Sequence, residues 1–408
     1  MKPTVVSPRG IPRSYGEEFL LLESGRGVYL RDAAGQRYLD FGAGIAVNAL
    51  GYGRRDLARV AARQMRRTIH VSNLYTTKPA LELAELLTDP AVRPGFPGEG
   101  FAAVHFGNSG AEANESALKF ARLYAARSRG AGHHILASFT HGFHGRTMGA
   151  LSVTPKEPAQ EPFRPLVPGT DVLPYNDAEA VRQRLSPDYA AVIVEVVQGE
   201  GGLTAMTPEF AAALNETCRR HDILLIADEV QTGLRRTGPI FASSEVGLEP
   251  DIISMSKPLA AGLPLSATLI PGKVNELLRP GDHGTTFGGG PVTSAVATRV
   301  WRIISDESFG RRLGEAVEYF DRALQKLAGS FDFVTELRGR GMLRGLVLEP
   351  GADLVKRVMT QARERGLLVL KSGDNVVRLA PPLVISPREI DAGVAVLEEV
   401  LARQGGTQ

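Results

Sequence analysis

Apolar and polar residues alternate along this chain with two different periods, and the change of period marks out its parts. "RGVYLRDAAGQRYLDF", residues 26–41, alternates in steps of two around Asp32–Gly35, which predicts a hairpin of short strands. From about residue 56 the spacing becomes helical, in "DLARVAARQMRRTI" and "PALELAELLTD". Short uninterrupted apolar runs follow: "FAAVHF", "HILASF", "AAVIVEVV", "ILLIADEV", "DIISMS" and "LSATLI". Runs without alternation are buried on both faces, and helical or loop segments separate most of them. That combination predicts a largely parallel sheet covered by helices on both sides. Beyond "HGTTFGGGP" comes a helix, "TSAVATRVWRIISD", and then a mixed region with strands at "MLRGLVLE" and "NVVRLAPPLVI". The expected layout is an α/β protein whose small domain uses both chain ends. Residues 1–55 form the N-terminal part of that small domain, 56–290 the large domain, and 291–408 an interdomain helix and the C-terminal small domain.

Composition narrows the classes. A chain of 408 residues exceeds one small core, so two domains are the default. Its 47 basic and 45 acidic residues nearly cancel, which leaves no general field for nucleic acid or a membrane surface. No apolar run is long enough to span a bilayer. "MKPTVVSPRG" lacks the apolar core of a signal peptide. The single Cys218 can make no internal disulfide, which suits a reducing, cytoplasmic setting. The sequons at Asn114 and Asn215 lie in helical patterns and are read as chance.

In open α/β sheets ligands collect at the carboxyl ends of the strands, and four of those ends are unusual here. Lys257 ends "DIISMSK", which by itself reads either as a solvated strand end or as a partly desolvated amine, a nucleophile and a base. Asp228 follows the apolar run of "ILLIAD" and needs a partner there, with Gln231 as a further hydrogen-bonding group. "FGNSGAEANES" is a strand, a glycine-bearing turn and a helix start. Gly107 and Gly110 allow close backbone approach, Ser109 and Glu112 have capping-box spacing, and the helix N-terminus favours a phosphate. "FTHGFHGRT" adds Phe143, two histidines and Arg146. An anion cradle, a carboxylate for a ring nitrogen, an aromatic plate and a lysine together suit pyridoxal 5'-phosphate (PLP).

With these stretches in view, the chain resembles the class III PLP-dependent aminotransferases from about Gly25 to Ile390. The likeness runs through "YLDFGAGIAVNALG", "HVSNLYTTKPALELAELL", "FGNSGAEANESALKFAR", "FHGRT", "VVQGEGG", "DEVQTG", "SKPLAAGLPLSA", "HGTTFGG" and "VVRLAPPLV". "GIAVNALG", "SNLY" and "SGAEANESALK" point to the acetylornithine aminotransferase branch. The resemblance implies a fold-type I PLP-dependent transferase with a mostly parallel seven-stranded sheet.

It also implies roles for individual residues. Lys257 would carry PLP as a Schiff base and move the proton between substrate and cofactor carbons. Asp228 would pair with the pyridine nitrogen, Gln231 would bond the ring oxygen, and Val230 and Phe143 would cover the two ring faces. Gly110 and Ala111 would hold the phosphate, and Thr286 would reach it from the other subunit of a homodimer. Thr285 would touch substrate in the same way. Arg146 would clamp the carboxylate far from the reacting carbon, with Glu195 behind it as partner. Arg378 would take the α-carboxylate of glutamate, masked by Glu200 when the donor lacks one. The implied reaction moves the terminal amine of N2-acetylornithine to 2-oxoglutarate, giving N-acetylglutamate 5-semialdehyde and glutamate, a step of arginine biosynthesis. Ornithine, succinylornithine and 4-aminobutyrate are the alternative donors.

Two departures from the family pattern stand out. Gly290 replaces a usual Asn and is expected to loosen the helix after it, and Arg235 stands where glycine is common, placing an extra charge near the site. Two rival readings are a silent cofactor-binding regulator and a metal-dependent hydrolase built on His133, His134, His141 and His144. The first conflicts with the retained Lys257, Asp228 and Arg146. The second lacks a carboxylate or cysteine in that stretch to complete a ligand set, so no metal is expected.

Overall fold

The computed structural model describes residues 4–8, 10–16, 18–90 and 100–404. Met1–Pro3 and Arg9, part of the stretch read for a signal peptide, lie outside them. Backbone contacts divide the chain into two units, Arg59–Gly310 and a second made from Met1–Ala58 with Arg311–Gln408. Residues 291–310, expected with the C-terminal part, therefore group with the large unit. The reason is packing: the Pro291–Ile304 helix lies against the Lys78–Thr88 helix, and Val296, Ala297, Val300, Trp301 and Ile304 on it are buried.

The large unit is built on a seven-stranded sheet. Its strands are β1 (Phe101–Gly107), β2 (Ile135–Phe139), β3 (Thr170–Leu173), β4 (Tyr189–Val194), β5 (Leu224–Asp228), β6 (Ile252–Met255) and β7 (Ser266–Pro271). Their spatial order is β1-β7-β6-β5-β4-β2-β3, and β7 alone runs antiparallel to its neighbours. Every residue of β4, β5 and β6 is buried, as their unbroken apolar runs demand. The Gly110–Ser128 helix covers one face. Ala117, Phe120, Ala121 and Tyr124 pack there on Leu136, Ile193, Leu224, Ile226 and Ile252. Each such aliphatic side chain contributes about 1.5–3 kcal/mol of burial.

Local signals set the element ends. Ser109 Oγ accepts from the Glu112 amide at 3.3 Å and starts the long helix. The reciprocal half of the expected capping box shifts by one residue, since Glu112 Oε2 accepts from the Asn108 amide at 2.7 Å and from its side chain at 2.8 Å. Gly290 leads the Pro291–Ile304 helix without a side-chain cap. Its carbonyl still accepts from the Ser294 amide at 2.9 Å and from Thr293 Oγ1 at 3.0 Å, so the first turn closes. Arg235 has φ +66°, the left-handed region that explains why glycine is usual there. Its guanidinium donates to the Ile304 carbonyl, so the extra charge is spent at a helix C-terminus.

In the small unit the expected hairpin forms, Tyr29–Asp32 pairing antiparallel with Arg37–Asp40. Asp32 organises its turn by accepting from the amides of Ala34 and Gln36 at 3.0 and 2.8 Å and from the Tyr38 hydroxyl at 3.1 Å. A separate antiparallel sheet joins Val334–Arg340, Leu343–Leu348, Val376–Leu379 and Leu370–Ser372. The Pro387–Ala402 helix begins with a complete capping box between Ser386 and Glu389. Among the described residues no helix is long and apolar enough to cross a membrane.

Two glycines of this unit test the packing with one substitution of opposite sign. A Cβ on Gly393 would sit 2.2 Å from the buried Phe41 ring, whereas one on Gly314, inside the Glu307–Ala328 helix, meets nothing within 4 Å. Gly393→Ala is expected to destabilise by about 1–3 kcal/mol and Gly314→Ala to stabilise by about 0.5–1 kcal/mol. Thermal unfolding of the two variants beside the unmodified chain checks both signs.

Candidate active site

Asp228 ends β5 and is 4% exposed. Its Oδ2 accepts from Asn114 Nδ2 and from His144 Nδ1, each at 2.8 Å, and its Oδ1 accepts from the Val230 amide at 3.0 Å. A carboxylate offers about four acceptor positions, so Oδ1 keeps room for one further donor. Asn114 is itself fixed, donating to the His144 carbonyl at 2.7 Å and accepting from Ser254 Oγ. This is a carboxylate held in one orientation with one acceptor position in reserve, which suits a cationic ring nitrogen.

The strand register brings Lys257 to the same rim. Asp228 lies opposite Ser254 on the parallel neighbour β6, and Lys257 follows the end of that strand, half-buried, at the start of a short turn. Ser256 Oγ donates to the Leu265 carbonyl at 3.0 Å and fixes the backbone just before the amine.

Close approaches tie the remaining groups to Asp228. A Cβ on Gly110 would lie 2.5 Å from Val230 Cγ1, so only glycine lets the helix start sit against that side chain. The Gly110 and Ala111 amides are first-turn donors without intrahelical acceptors, as an anion cradle requires. A Cβ on Gly145 would lie 2.7 Å from Ala111 Cβ, which brings the "FHGR" loop against the cradle. Gly199 packs as closely on the amide of Gln231, itself buried. The Arg146 guanidinium lies over the Phe143 ring, 5.4 Å from its centre, and is otherwise exposed.

Glu195 differs from its expected place behind Arg146. It is 6% exposed, and its carboxylate accepts from the Phe143 amide at 2.8 Å and the Gly199 amide at 3.0 Å. Buried under the two loops, it reaches Arg146 only through the Phe143 backbone. Burial pushes its carboxyl up to about 7, with His144 opposing and Asp228 adding to the rise.

Thr285 and Thr286 belong to a different place. The Thr285 carbonyl accepts from Asn73 Nδ2 at 2.7 Å, and Thr286 is exposed on the rim of a recess lined by His70, Tyr75, Thr77 and Phe287. Glu200 is half-buried in a turn of the large unit. Arg378 is 3% exposed on the Val376–Leu379 strand of the small unit. The histidines of residues 133–144 scatter: His133 bonds the Pro187 carbonyl, His134 the Gly132 carbonyl, and His144 Asp228. Sequence reasoning missed the parts His144 and Asn114 play, because each meets Asp228 only through the fold.

Comparison with known proteins adds an independent line. The family model described as aminotransferase class-III matches residues 11–401. The probable mitochondrial acetylornithine aminotransferase of Dictyostelium discoideum is 42% identical over 400 residues, covering 96% of this chain and 86% of that protein. The ornithine aminotransferase of Toxoplasma gondii superposes with a TM-score of 0.90 at 29% identity, covering 98% of this chain and 94% of that one. An amine transaminase from an uncultivated Pseudomonas species, solved in its PLP-bound form, gives 0.89 at 28% identity over 97% of this chain and 99% of that one.

The Glu195 carboxyl makes stability depend on pH. Its ordinary value is 4.5 and its folded value about 7, so between these the folded chain keeps a proton the unfolded chain has lost. Stability from this group is full below about 4.5 and is lost as pH rises through 7. Unfolding of cofactor-free protein from pH 4.5 to 7.5 is expected to show a component of at most about 3 kcal/mol falling with pH, and Glu195→Gln lacks it. Parallel slopes for the two proteins would reject the assignment.

Proposed function

The chain belongs to the class-III aminotransferase family, and on that premise we propose that it transfers the terminal amine of N2-acetylornithine to 2-oxoglutarate. The observation that carries this reading is the meeting, at the ends of β5 and β6, of a fixed carboxylate and a half-buried lysine beside a helix N-terminus. The family is PLP-dependent, and the residues present fit that group: Asp228 keeps one acceptor position, and the Gly110–Ala111 amides face outward from a helix start. When bound, PLP supplies an electrophilic carbon for the amine and a ring that takes up the electrons released at the substrate carbon.

The protein's own groups divide the remaining work. Asp228 would hold a proton on the ring nitrogen by a charge-assisted hydrogen bond, with His144 and Asn114 keeping its carboxylate oriented for it. Lys257 Nζ would hold the cofactor and would move a proton at the substrate carbon. Val230 and Phe143 would hold the ring, Gln231 would hydrogen-bond it, and Gly110 and Ala111 would take the phosphate. Arg146, exposed on the loop that Glu195 anchors through Phe143, takes the distal carboxylate with its planar fork. The roles of Arg378 and Glu200, on the two different units, rest on the resemblance: one takes the α-carboxylate of glutamate, the other masks it for acetylornithine.

A homodimer is part of this reading, with Thr286 and Thr285 serving the other copy's site. It is supported by the exposed apolar residues around that loop, Leu74 at 88%, Tyr75 at 74% and Phe287 at 65% exposure, which suit contact with a second copy. Cytoplasmic residence and a place in arginine biosynthesis belong to the same reading. The lone cysteine supports the first, and the enzyme name of the relative, acetylornithine aminotransferase, supports the second.

The discriminating experiment is a panel of amine donors with 2-oxoglutarate, ranked by kcat/KM. Acetylornithine is expected to lead, and ornithine, succinylornithine or 4-aminobutyrate in first place would replace the substrate assignment. Lys257→Ala is expected to fold, to lose the visible absorbance of the lysine-bound cofactor, and to lose more than about a thousandfold in transamination; a fully active variant would sink the reading. Glu200→Ala is expected to shift the ratio of glutamate to acetylornithine half-reaction rates toward glutamate by about ten- to a hundredfold. An unchanged ratio would remove the masking role.

A further inference from the structure

The loop bearing Thr285 and Thr286 combines an exposed tip with a firmly held base. Asp282 accepts from Arg127 Nη1 at 2.5 Å, from Arg127 Nη2 at 2.7 Å and from the Arg279 amide at 2.6 Å. The next residue, His283, places Nδ1 2.8 Å from Lys119 Nζ and Nε2 3.0 Å from Ser116 Oγ. Lys119 can only donate, so Nδ1 accepts and the ring proton sits on Nε2, pointing at Ser116. Ser116 Oγ in turn donates to the Glu112 carbonyl at 2.9 Å. The ring stacks on His105 with centres 4.7 Å apart and meets the edge of Phe120.

Ser116, Lys119, Phe120 and Arg127 lie at the spacings that share one face of an α-helix. That helix is Gly110–Ser128, whose first turn is the proposed phosphate cradle. On the far side of the loop, Asn73 Nδ2 donates to the carbonyls of Thr285 and Gly288 at 2.7 and 3.2 Å. A Cβ on Gly288 would lie 2.1 Å from the Phe106 carbonyl, so the backbone packs there as only glycine allows. Thr286 and Phe287, between these anchors, are exposed.

We propose that His283, seated between Lys119 and Ser116, is a positioning residue that presents Thr286 to the cofactor phosphate held by a second copy of this chain. This rests on the shared-site reading of the preceding section and adds to it the device that sets the loop. A loop free to wander would lose conformational freedom each time it met the phosphate; one already fixed does not. Burial and the neighbouring Lys119 lower the His283 imidazole, with Glu115 opposing, so the uncharged ring that can accept from Lys119 is the form present at neutral pH.

The test separates action on the partner from damage within the chain. His283→Phe keeps the stacking on His105 and removes both hydrogen bonds, and His283→Gln retains an acceptor and a donor. PLP retention is measured from the loss of lysine-bound absorbance during dilution, in two mixed dimers that each contain one competent lysine. In the first, a His283→Phe chain is paired with a Lys257→Ala chain, so the competent site receives an intact loop. In the second, a chain carrying both substitutions is paired with an unmodified chain, so the competent site receives the altered loop. PLP is expected to leave the second about tenfold faster than the first, the first is expected to match unmodified protein, and His283→Gln is expected to restore most of the retention. Equal release from both mixed dimers, or faster release from the first, overturns the proposal. If the unmodified chain holds PLP at Lys257, that result leaves the cofactor assignment standing; if it holds none, the site reading falls and the positioning role with it.

Discussion

One buried carboxylate sets the terms for the rest of the large unit. Asp228 sits where the sheet's apolar interior ends, and a charge there persists only if donors surround it. Two of those donors, Asn114 and His144, come from far along the chain, the first from the helix after β1 and the second from the loop after β2. Satisfying Asp228 therefore locks the phosphate-cradle helix, the "FHGR" loop and β5 into one arrangement. The same bonds that make the charge tolerable also place Ala111, Phe143 and Arg146. Function and stability share these contacts, so weakening one weakens the other.

The elements were largely legible because burial on both faces leaves a plain mark on strands. The unbroken apolar runs, the turn at Asp32 and the helical spacing after residue 56 all appear as the sequence indicates. Lys257 and Asp228 were legible for a related reason, since charged residues at the ends of buried strands stand out against their surroundings. Less legible was everything that depends on meeting across the fold. His144 has the same local context as His141, and nothing near either says that one turns inward to a carboxylate while the other is exposed. Glu195 was expected to serve Arg146 directly, yet two backbone amides claim it. Boundaries suffered likewise: the Pro291–Ile304 helix looks like the start of a new domain until its packing on the Lys78–Thr88 helix is seen.

Substrate choice is a separate matter from fold. Enzymes named for ornithine and for simple amines superpose on this chain almost as completely as one another. Discrimination among donors must therefore reside in a few side chains around a common centre. On the proposed reading these are Arg146, Glu200 and Arg378, whose planar charged groups read carboxylates well. Their settings differ: Arg146 is exposed on a loop and Arg378 lies buried in a strand.

The pattern of anchoring follows from where precision is needed. Groups proposed to meet the cofactor's ring hang from strand ends, and Asp228, Asn114 and His144 share hydrogen bonds, so their relative positions are set by the sheet. The Thr285–Thr286 loop has no strand to hang from. It is instead tied at intervals to the Gly110–Ser128 helix, through Arg127, Lys119 and Ser116, and to Asn73 on its other flank. One helix thereby carries the proposed phosphate cradle on its first turn and anchors the projecting loop with its outer face. In the proposed homodimer, a tilt of that helix would move the cradle in its own site and the loop in the neighbouring one.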